Sequence, residues 1–318
     1  MTEQSPSPIP VTILTGFLGA GKTTLLNNIL NSEHGLRVAV LVNDFGAINI
    51  DSQLVINVGD DEDASTIELS NGCICCTIRG DLLAALIRLV RREHPPQYVL
   101  IEASGVSDPL EIALVFRNPE LASAIVVDSV LTVIDAEQVR DLKRENEVLA
   151  VLQVGAADII ALNKVDLVTP PQLEKVRVWI RSIIPNARII ETTYGRVPLP
   201  LILGVGAFDA ERLHQRAASD VHVHEAGAHH DHDHPHHDHT LIYSTWNWSS
   251  DAPLSLKAIE RVIKALPVSI YRAKGLLYLA DIPDNAAVLQ VVGKRATVTP
   301  GEAWETRTPR SQIVVIGA

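Results

Sequence analysis

At 318 residues and 34.6 kDa the chain is too long for one small core, so two domains are expected, and a 47% hydrophobic content can fill them. The excess of 38 acidic over 27 basic side chains, a formal charge of −11, argues against a nucleic-acid partner, which needs a basic stripe. No apolar run reaches the roughly 20 uncharged residues of a membrane span, the polar residues 1–9 carry no secretory pattern, and three cysteines clustered at 73–76 make no disulfide framework; a cytoplasmic protein without a membrane partner is expected.

The first element is a β-branched apolar run at 11–15, read as a buried strand, which leads straight into Gly16-Phe17-Leu18-Gly19-Ala20-Gly21-Lys22-Thr23-Thr24. That segment fits the pattern G-x-x-x-x-G-K-S/T, and apolar residues at 25, 26, 29 and 30 have the spacing of a helix, placed at 22–32. Strand, glycine loop and helix start aim successive N–H groups and the positive end of a helix dipole at one point, where an anion belongs. Gly16, Gly19, Ala20, Gly21, Lys22, Thr23 and Thr24 are therefore the expected phosphate cradle. Glycine accepts positive φ and admits a phosphate close to the backbone; Lys22 would reach the β- and γ-phosphates and act in the chemistry, and the Thr23 hydroxyl would hold Mg²⁺.

A strand at 37–42 ends in Asn43-Asp44-Phe45-Gly46, with Asp51 further on. Two carboxylates and a glycine hinge suit a switch loop that orders around Mg²⁺ and the γ-phosphate. Asp44, rather than Asp51, is the expected catalytic residue near metal or attacking water. After a strand at 65–69 comes Asn71-Gly72-Cys73-Ile74-Cys75-Cys76, just before a helix at 80–93. Cys73, Cys75 and Cys76 can supply up to three sulfur ligands to a soft or borderline ion such as Zn²⁺, Co²⁺ or Cu⁺, and a nearby helix N-terminus favours thiolates. A redox pair or inert buried thiols are the competing readings, and metal is preferred. With no fourth Cys and no His close in sequence, the set is incomplete, as suits a site that loads and unloads.

The strand at 98–103 carries Glu102, placed to hold Mg²⁺ directly or through water, and Gly105 follows as the N–H that senses the γ-phosphate. No Gln follows Gly105 to position water, so intrinsic hydrolysis should be slow. Further alternation (helix 109–117, strand 124–134, helix 145–155, strand 158–163) leads to Asn163-Lys164-Val165-Asp166. An N-K-x-D at a strand end reads guanine: Asp166 accepts from the base's N1–H and exocyclic amine, Asn163 contacts the opposite edge, and Lys164 completes the set. A helix at 170–184, a strand at 187–191, the loop Glu191-Thr192-Thr193-Tyr194-Gly195 with backbone groups for the base, and a helix at 198–204 close this part. Such alternation means βαβ crossovers and an α/β fold: a mostly parallel P-loop sheet with helices on both faces.

Residues 211–240 differ, being polar and without apolar period, and hold nine of the 12 histidines interleaved with Asp. They read as a disordered linker between a domain at 10–210 and a smaller α+β domain at 241–318. Its histidines would bind Zn²⁺, Ni²⁺ or Co²⁺ loosely, with a plain solvated spacer as the competing reading. In the C-terminal part, strands are expected at 241–248, 271–280, 287–292 and 313–316, with a helix at 254–266 capped by Asp251 and opened by Pro253.

Together these residues resemble the CobW-like (cobalamin-synthesis-protein-like) GTPase metallochaperones over nearly the whole chain. The likeness rests on residues 15–24, on Gly72-Cys73-Ile74-Cys75-Cys76, on Glu102-Ala103-Ser104-Gly105, on Asn163-Lys164-Val165-Asp166, on the histidine tract, and on Arg272-Ala273-Lys274-Gly275 and Pro300-Gly301-Glu302-Ala303-Trp304. It implies Mg-GTP binding, GTP hydrolysis and transfer of a divalent metal, commonly zinc or cobalt, to a client metalloprotein. Where many members carry N-E-F-G-E, this chain has Asn43-Asp44-Phe45-Gly46-Ala47, losing one acid and shortening the other. The expected function is a GTPase whose nucleotide state sets metal affinity at the Cys motif; a homodimer is left open. A metal buffer with a regulatory nucleotide site, or a P-loop kinase of small molecules, are the alternatives, the second opposed by Asn163 and Asp166.

Overall fold

The computed structural model describes residues 8–32, 35–42, 66–68, 77–203, 244–305 and 307–317. In chain order these form β1 (Ile9–Thr15), α1 (Lys22–Leu30), β2 (Val38–Val42), β3 (Thr66–Glu68), α2 (Thr77–Val90), β4 (Tyr98–Glu102), α3 (Pro109–Val115), α4 (Pro119–Ala122), β5 (Ile125–Asp135), α5 (Glu145–Ala156), β6 (Ile159–Asn163), α6 (Pro170–Ile183), β7 (Ile189–Glu191) and α7 (Leu199–Ile202). The seven strands make one sheet in the order β3-β2-β4-β1-β5-β6-β7, every pairing parallel. Strands buried on both faces explain the near-continuous apolar runs: β2, β4 and β6 are buried at every position. One side packs Leu25, Leu26 and Ile29 of α1, the other Leu82, Leu86 and Leu89 of α2. The α/β reading therefore holds, with the ends of these seven strands within three residues of expectation.

Helix starts follow local chemistry. Asp108 accepts the Leu110 N–H at 2.8 Å with Pro109 in the first turn, and Thr169 and Gln172 form a capping box ahead of Pro170. The one-turn α4 has the same device, Asn118 before Pro119; its brevity hid it from periodicity.

The second unit holds β8 (Ser244–Ser250), α8 (Leu256–Lys264), β9 (Ile270–Tyr278), β10 (Asn285–Val292), β11 (Arg295–Ala303) and β12 (Ser311–Gly317), with an antiparallel sheet in the order β11-β10-β9-β12-β8. Two expectations need correction. The helix begins later than predicted: Leu256 N–H donates to Asp281 Oδ2 at 3.1 Å, a cap from 25 residues on, while Asp251 pairs with Arg310 at 3.0 Å. Strand β11 was not expected because Pro300 and Gly301 interrupt it; as an edge strand it tolerates both. The histidine-rich segment 211–240 lies outside the described residues.

The two sheets meet at a buried polar junction. In β5, Val127 pairs with Val11 and Ser129 with Thr12, leaving Asp128 as the extra residue of a bulge. Its carboxylate, fully buried, is paired with the Arg272 guanidinium from β9. It also accepts from Tyr98 Oη at 2.8 Å and Gln290 Nε2 at 2.7 Å, while Tyr98 Oη meets Thr12 Oγ1 at 2.6 Å. Arg272 further donates to the Leu201 carbonyl at 2.9 Å and to that of Ile202. Burial pushes the Asp128 pKa up, but the Arg272 charge and its hydrogen bonds outweigh it and hold the group below its ordinary value. Burial and the Asp128 charge push the Tyr98 phenol well above its usual range. A second seam joins Tyr271 Oη to the Ile189 carbonyl (2.9 Å), Lys294 Nζ to that of Gly155 (2.8 Å) and Arg295 to Asp158 (3.0 Å). These contacts gather toward the amino ends of β4, β5, β6 and β7, whereas the sequence motifs lie at the carboxyl ends.

Candidate functional site

The loop after β1 is built on three left-handed glycines, with φ of 138° at Gly16, 73° at Gly19 and 102° at Gly21. Two are also places where a side chain has no room. A Cβ on Gly16 would lie 2.1 Å from the Val133 carbonyl oxygen, and one on Gly21 2.4 Å from Asn163 Nδ2. The loop thus hugs β5 on one side and the end of β6 on the other. Its last glycine is the N-cap position of α1, with no side-chain cap and no acid in the first turn, so nothing negative competes for the helix start. Lys22, 7% exposed, donates to the Phe17 carbonyl at 3.3 Å and so folds back over the loop.

Thr23 and Glu102, predicted from segments 79 residues apart, are brought together: Thr23 Oγ1 donates to Glu102 Oε1 at 2.9 Å. Glu102, 2% exposed, ends β4, immediately beside β1. A hydroxyl and a carboxylate side by side at the phosphate loop are the hard oxygen donors a Mg²⁺ ion takes, so these residues fit it. Gly105 is buried against Leu18, whose backbone nitrogen would lie 2.7 Å from an added Cβ. Its carbonyl accepts from Gln153 Nε2 at 3.1 Å, and that of Ser107 from the same amide at 3.3 Å.

At the end of β6, Asn163 is buried and its amide is taken up by two loops. Its Nδ2 donates to the Ala20 carbonyl at 2.9 Å, and its Oδ1 accepts from Gly195 N–H at 3.0 Å. Asn163, expected at the base's edge, also stitches the phosphate loop to 192–195. That second loop rests on α1, with Asn28 Nδ2 donating to the Tyr194 carbonyl at 2.7 Å. Lys164, in the left-handed region at φ 61°, reaches Asp135 Oδ2 at 2.7 Å. Asp166 is exposed in the 3-10 turn Val165–Leu167, its carboxylate open to a ligand.

Two participants were not found by sequence reasoning. Asp135 anchors Lys164 and accepts the Glu137 and Gln138 N–H groups at 2.9 and 3.1 Å; the signal was an acid closing an apolar strand. Gln153 holds the Gly105 loop; the signal was one polar residue in the buried stripe of α5 beside Ala150 and Val154. Asp44, Asp51, Cys73, Cys75 and Cys76 lie outside the described residues. What frames them is described: Val42 is in register with both Glu102 and Glu68, and α2 begins at Thr77. Among the described residues no group of three His, Cys, Asp or Glu is placed to hold a metal.

Replacing Gly16 by alanine tests the loop. The added methyl meets backbone rather than a flexible side chain, at a φ that L residues rarely adopt. The expected result is loss of nucleotide binding by at least about tenfold, together with a destabilisation of about 1–3 kcal/mol. Equilibrium nucleotide titration and urea unfolding measure the two effects.

Residues 10–191 match the model of the CobW/HypB/UreG nucleotide-binding domain, and residues 243–318 that of the cobalamin synthesis protein cobW C-terminal domain. The chain is 35% identical over 337 residues to a protein of Pseudomonas aeruginosa named zinc chaperone CobW, covering 97% of this chain and 87% of that one. It is 32% identical over 332 residues to a zinc-regulated GTPase metalloprotein activator 1 of Dictyostelium discoideum, covering 93% and 68%. The crystal structure of the Zn(II)-bound YjiA GTPase from E. coli superposes with a TM-score of 0.47 at 27% identity, over 98% of this chain and 95% of that one. With a phosphate loop, a Thr–Glu pair and an N-K-x-D turn assembled at the carboxyl edge of one parallel sheet, and both halves of the sequence matched, the chain belongs to the CobW/HypB/UreG family of nucleotide-binding proteins.

Proposed function

We propose that this chain is a GTP-hydrolysing metallochaperone that carries a divalent transition metal, zinc first, on Cys73, Cys75 and Cys76 and passes it to a client metalloprotein under nucleotide control. The observation that carries this reading is the 2.9 Å contact of Thr23 with Glu102 beside a glycine cradle, with Asn163 joining that cradle to the turn bearing Asp166. Relatives named as zinc chaperones and zinc-regulated GTPase activators support zinc as the cargo.

Each described residue has work to do in hydrolysis. Loop N–H groups and Lys22 bind and orient the triphosphate, and Asp166 selects guanine by accepting from paired donors that adenine lacks. Mg²⁺, when bound, neutralises charge on the β- and γ-phosphates, and Thr23 and Glu102 are the residues to hold it. Gly105, braced through Gln153 and Leu18, offers its N–H where the γ-phosphate ends. Catalysis of this kind is positioning and charge stabilisation, so a chain with no glutamine after Gly105 hydrolyses slowly. Asp44 follows Val42, which is registered with Glu102, and this supports its place near metal or attacking water. The cysteine segment follows β3, whose Glu68 is registered with the same Val42, so both loops leave neighbouring strand ends.

Linked sites of this kind couple by about 1–3 kcal/mol, a change of about 5–150-fold in affinity. Zinc titrations in the presence of GDP and of a non-hydrolysable GTP analogue should therefore differ by that factor, tighter with the analogue, and equal affinities would end the coupling. Replacing Cys73, Cys75 and Cys76 together by serine should abolish the nucleotide-dependent part and zinc-stimulated hydrolysis. A buffer acting through its histidines would keep most of its capacity. No helix among the described residues is long and apolar enough to cross a membrane, in keeping with a cytoplasmic site of action.

A further inference from the structure

The two sheets present four edges, and three are blunted against pairing with other chains. β3 and β7 are three residues each. β11 is longer but carries Arg295, Pro300 and Glu302 and a register shift against β10. These are the devices by which native sheets discourage further strands. β8 has none of them. It runs for seven residues, Ser-Thr-Trp-Asn-Trp-Ser-Ser, without charge or proline, in unbroken register with β12. No described strand pairs with its outer side.

Its side chains are equally open. Trp246 is 48% and Trp248 47% exposed. They pair with Val315 and Ile313, which pack into the core beneath α8, so the indoles extend that apolar face to the rim. Gly317 leaves room for the first of them: a Cβ there would lie 3.0 Å from Trp246 Cζ3.

From this edge we infer that β8 pairs antiparallel with β8 of a second copy of the chain, on a two-fold axis through Asn247, joining two five-stranded sheets into one. The sequence is self-complementary about that residue. Asn247 would oppose its own mate, Trp246 would oppose Trp248 of the other copy, and Thr245 would oppose Ser249. Such a contact is isologous and closes on itself, and it forms two cross-strand indole pairs, a favourable combination. No like charges face each other along it, and the nearest charges, Asp251 and Arg310, neutralise one another at 3.0 Å. Half-exposed indoles supply on the order of 100 Å² each, so with the strand backbone the contact stays below the roughly 1,200 Å² of a standard interface. The pair is therefore weak and reversible.

The test is sedimentation equilibrium of the full chain from about 1 to about 200 µM, a range that brackets weak association, run with GDP and with a non-hydrolysable GTP analogue. The mass should rise from 34.6 kDa toward twice that value with either nucleotide, and tryptophan emission should shift to the blue as it does. Asn247→Lys and Asn247→Asp each set like charges on the axis, at an exposed position, and each should stay monomeric with GTP hydrolysis unchanged. An equimolar mixture of the two should restore the dimer. A wild-type mass fixed at 34.6 kDa, as when a client's extended segment is the natural occupant, would overturn the inference. So would variants that dimerise like the wild type, a mixture that stays monomeric, or a dimer seen only with the triphosphate analogue. None of these results bears on nucleotide or metal binding, so the functional reading stands or falls separately.

Discussion

Replacing Arg272 by methionine is expected to cost about 3–5 kcal/mol of folding stability, the cost of breaking a buried ion pair by removing one partner. Asp128 would stay in its bulge, fully buried, with the charge that faced it gone. Two neutral hydrogen bonds, from Tyr98 and Gln290, would remain, with Lys274 as the nearest remaining cation, its own pKa pushed down by burial. The double variant Asp128→Asn/Arg272→Met removes both charges and should recover most of the loss, because a buried pair is costly to break but not costly to replace. The pH dependence has a definite sign. In the wild type the Asp128 pKa is held below its ordinary value, so the contribution is present above the ordinary carboxylate range, about 4, and lost as pH falls through the depressed value. Without Arg272, burial should outweigh what Lys274 and the Tyr98 hydrogen bond still supply, so that the folded pKa rises above the unfolded one and stability declines as pH climbs from about 4 to about 7. Urea midpoints of both proteins across that range check the reversal. A loss below about 1 kcal/mol, the level of an exposed pair, would mean that water reaches the junction.

The second large effect concerns the base. Asp166→Asn should weaken GTP binding by about 10²–10⁴-fold, since the carboxylate is to accept two hydrogen bonds and charged acceptors contribute about 1.5–3 kcal/mol each. Xanthosine triphosphate, which carries a carbonyl in place of the exocyclic amine, should regain affinity with the variant because an amide can donate to it. Asp166 is exposed and has no structural duty in its turn, so folding should be unaffected, and competition titrations isolate the recognition term. Unchanged GTP affinity, or ATP bound as well as GTP by the wild type, would return the small-molecule kinase to favour.

Most of the first sheet could be read in the sequence because its strands are buried on both faces and its helices carry long apolar stripes. The phosphate loop, Glu102 and the N-K-x-D turn could be read because each couples a fixed spacing to one chemistry. What escaped were residues whose role is set by distant partners. The tie that Asn163 makes between two loops is one, since only the fold shows Ala20 and Gly195 on either side of its amide. Asp128 and Arg272 are 144 residues apart, and nothing local announces that one answers the other. The cap on α8 from Asp281 and the polar edge strand β11 escaped for the same reason: local pattern is a poor guide where a neighbour in space supplies the missing group.

The bulge at Asp128 does more than aim a carboxylate. Ile125 and Val127 before it and Val130 after it line one core cluster, although odd and even positions of a regular strand face opposite ways. One surplus amino acid thus resets the alternation for the rest of β5, down to Thr132, Ile134 and Asp135. Deleting it would turn the strand's second half over, exchanging the side chains of two differently packed core faces, since every position from Asp128 to Asp135 is buried, and displacing the anchor of Lys164 along with the interdomain tie. Length at this point of the chain is therefore as tightly constrained as identity, and a frame-preserving three-base deletion here would be as damaging as losing the strand.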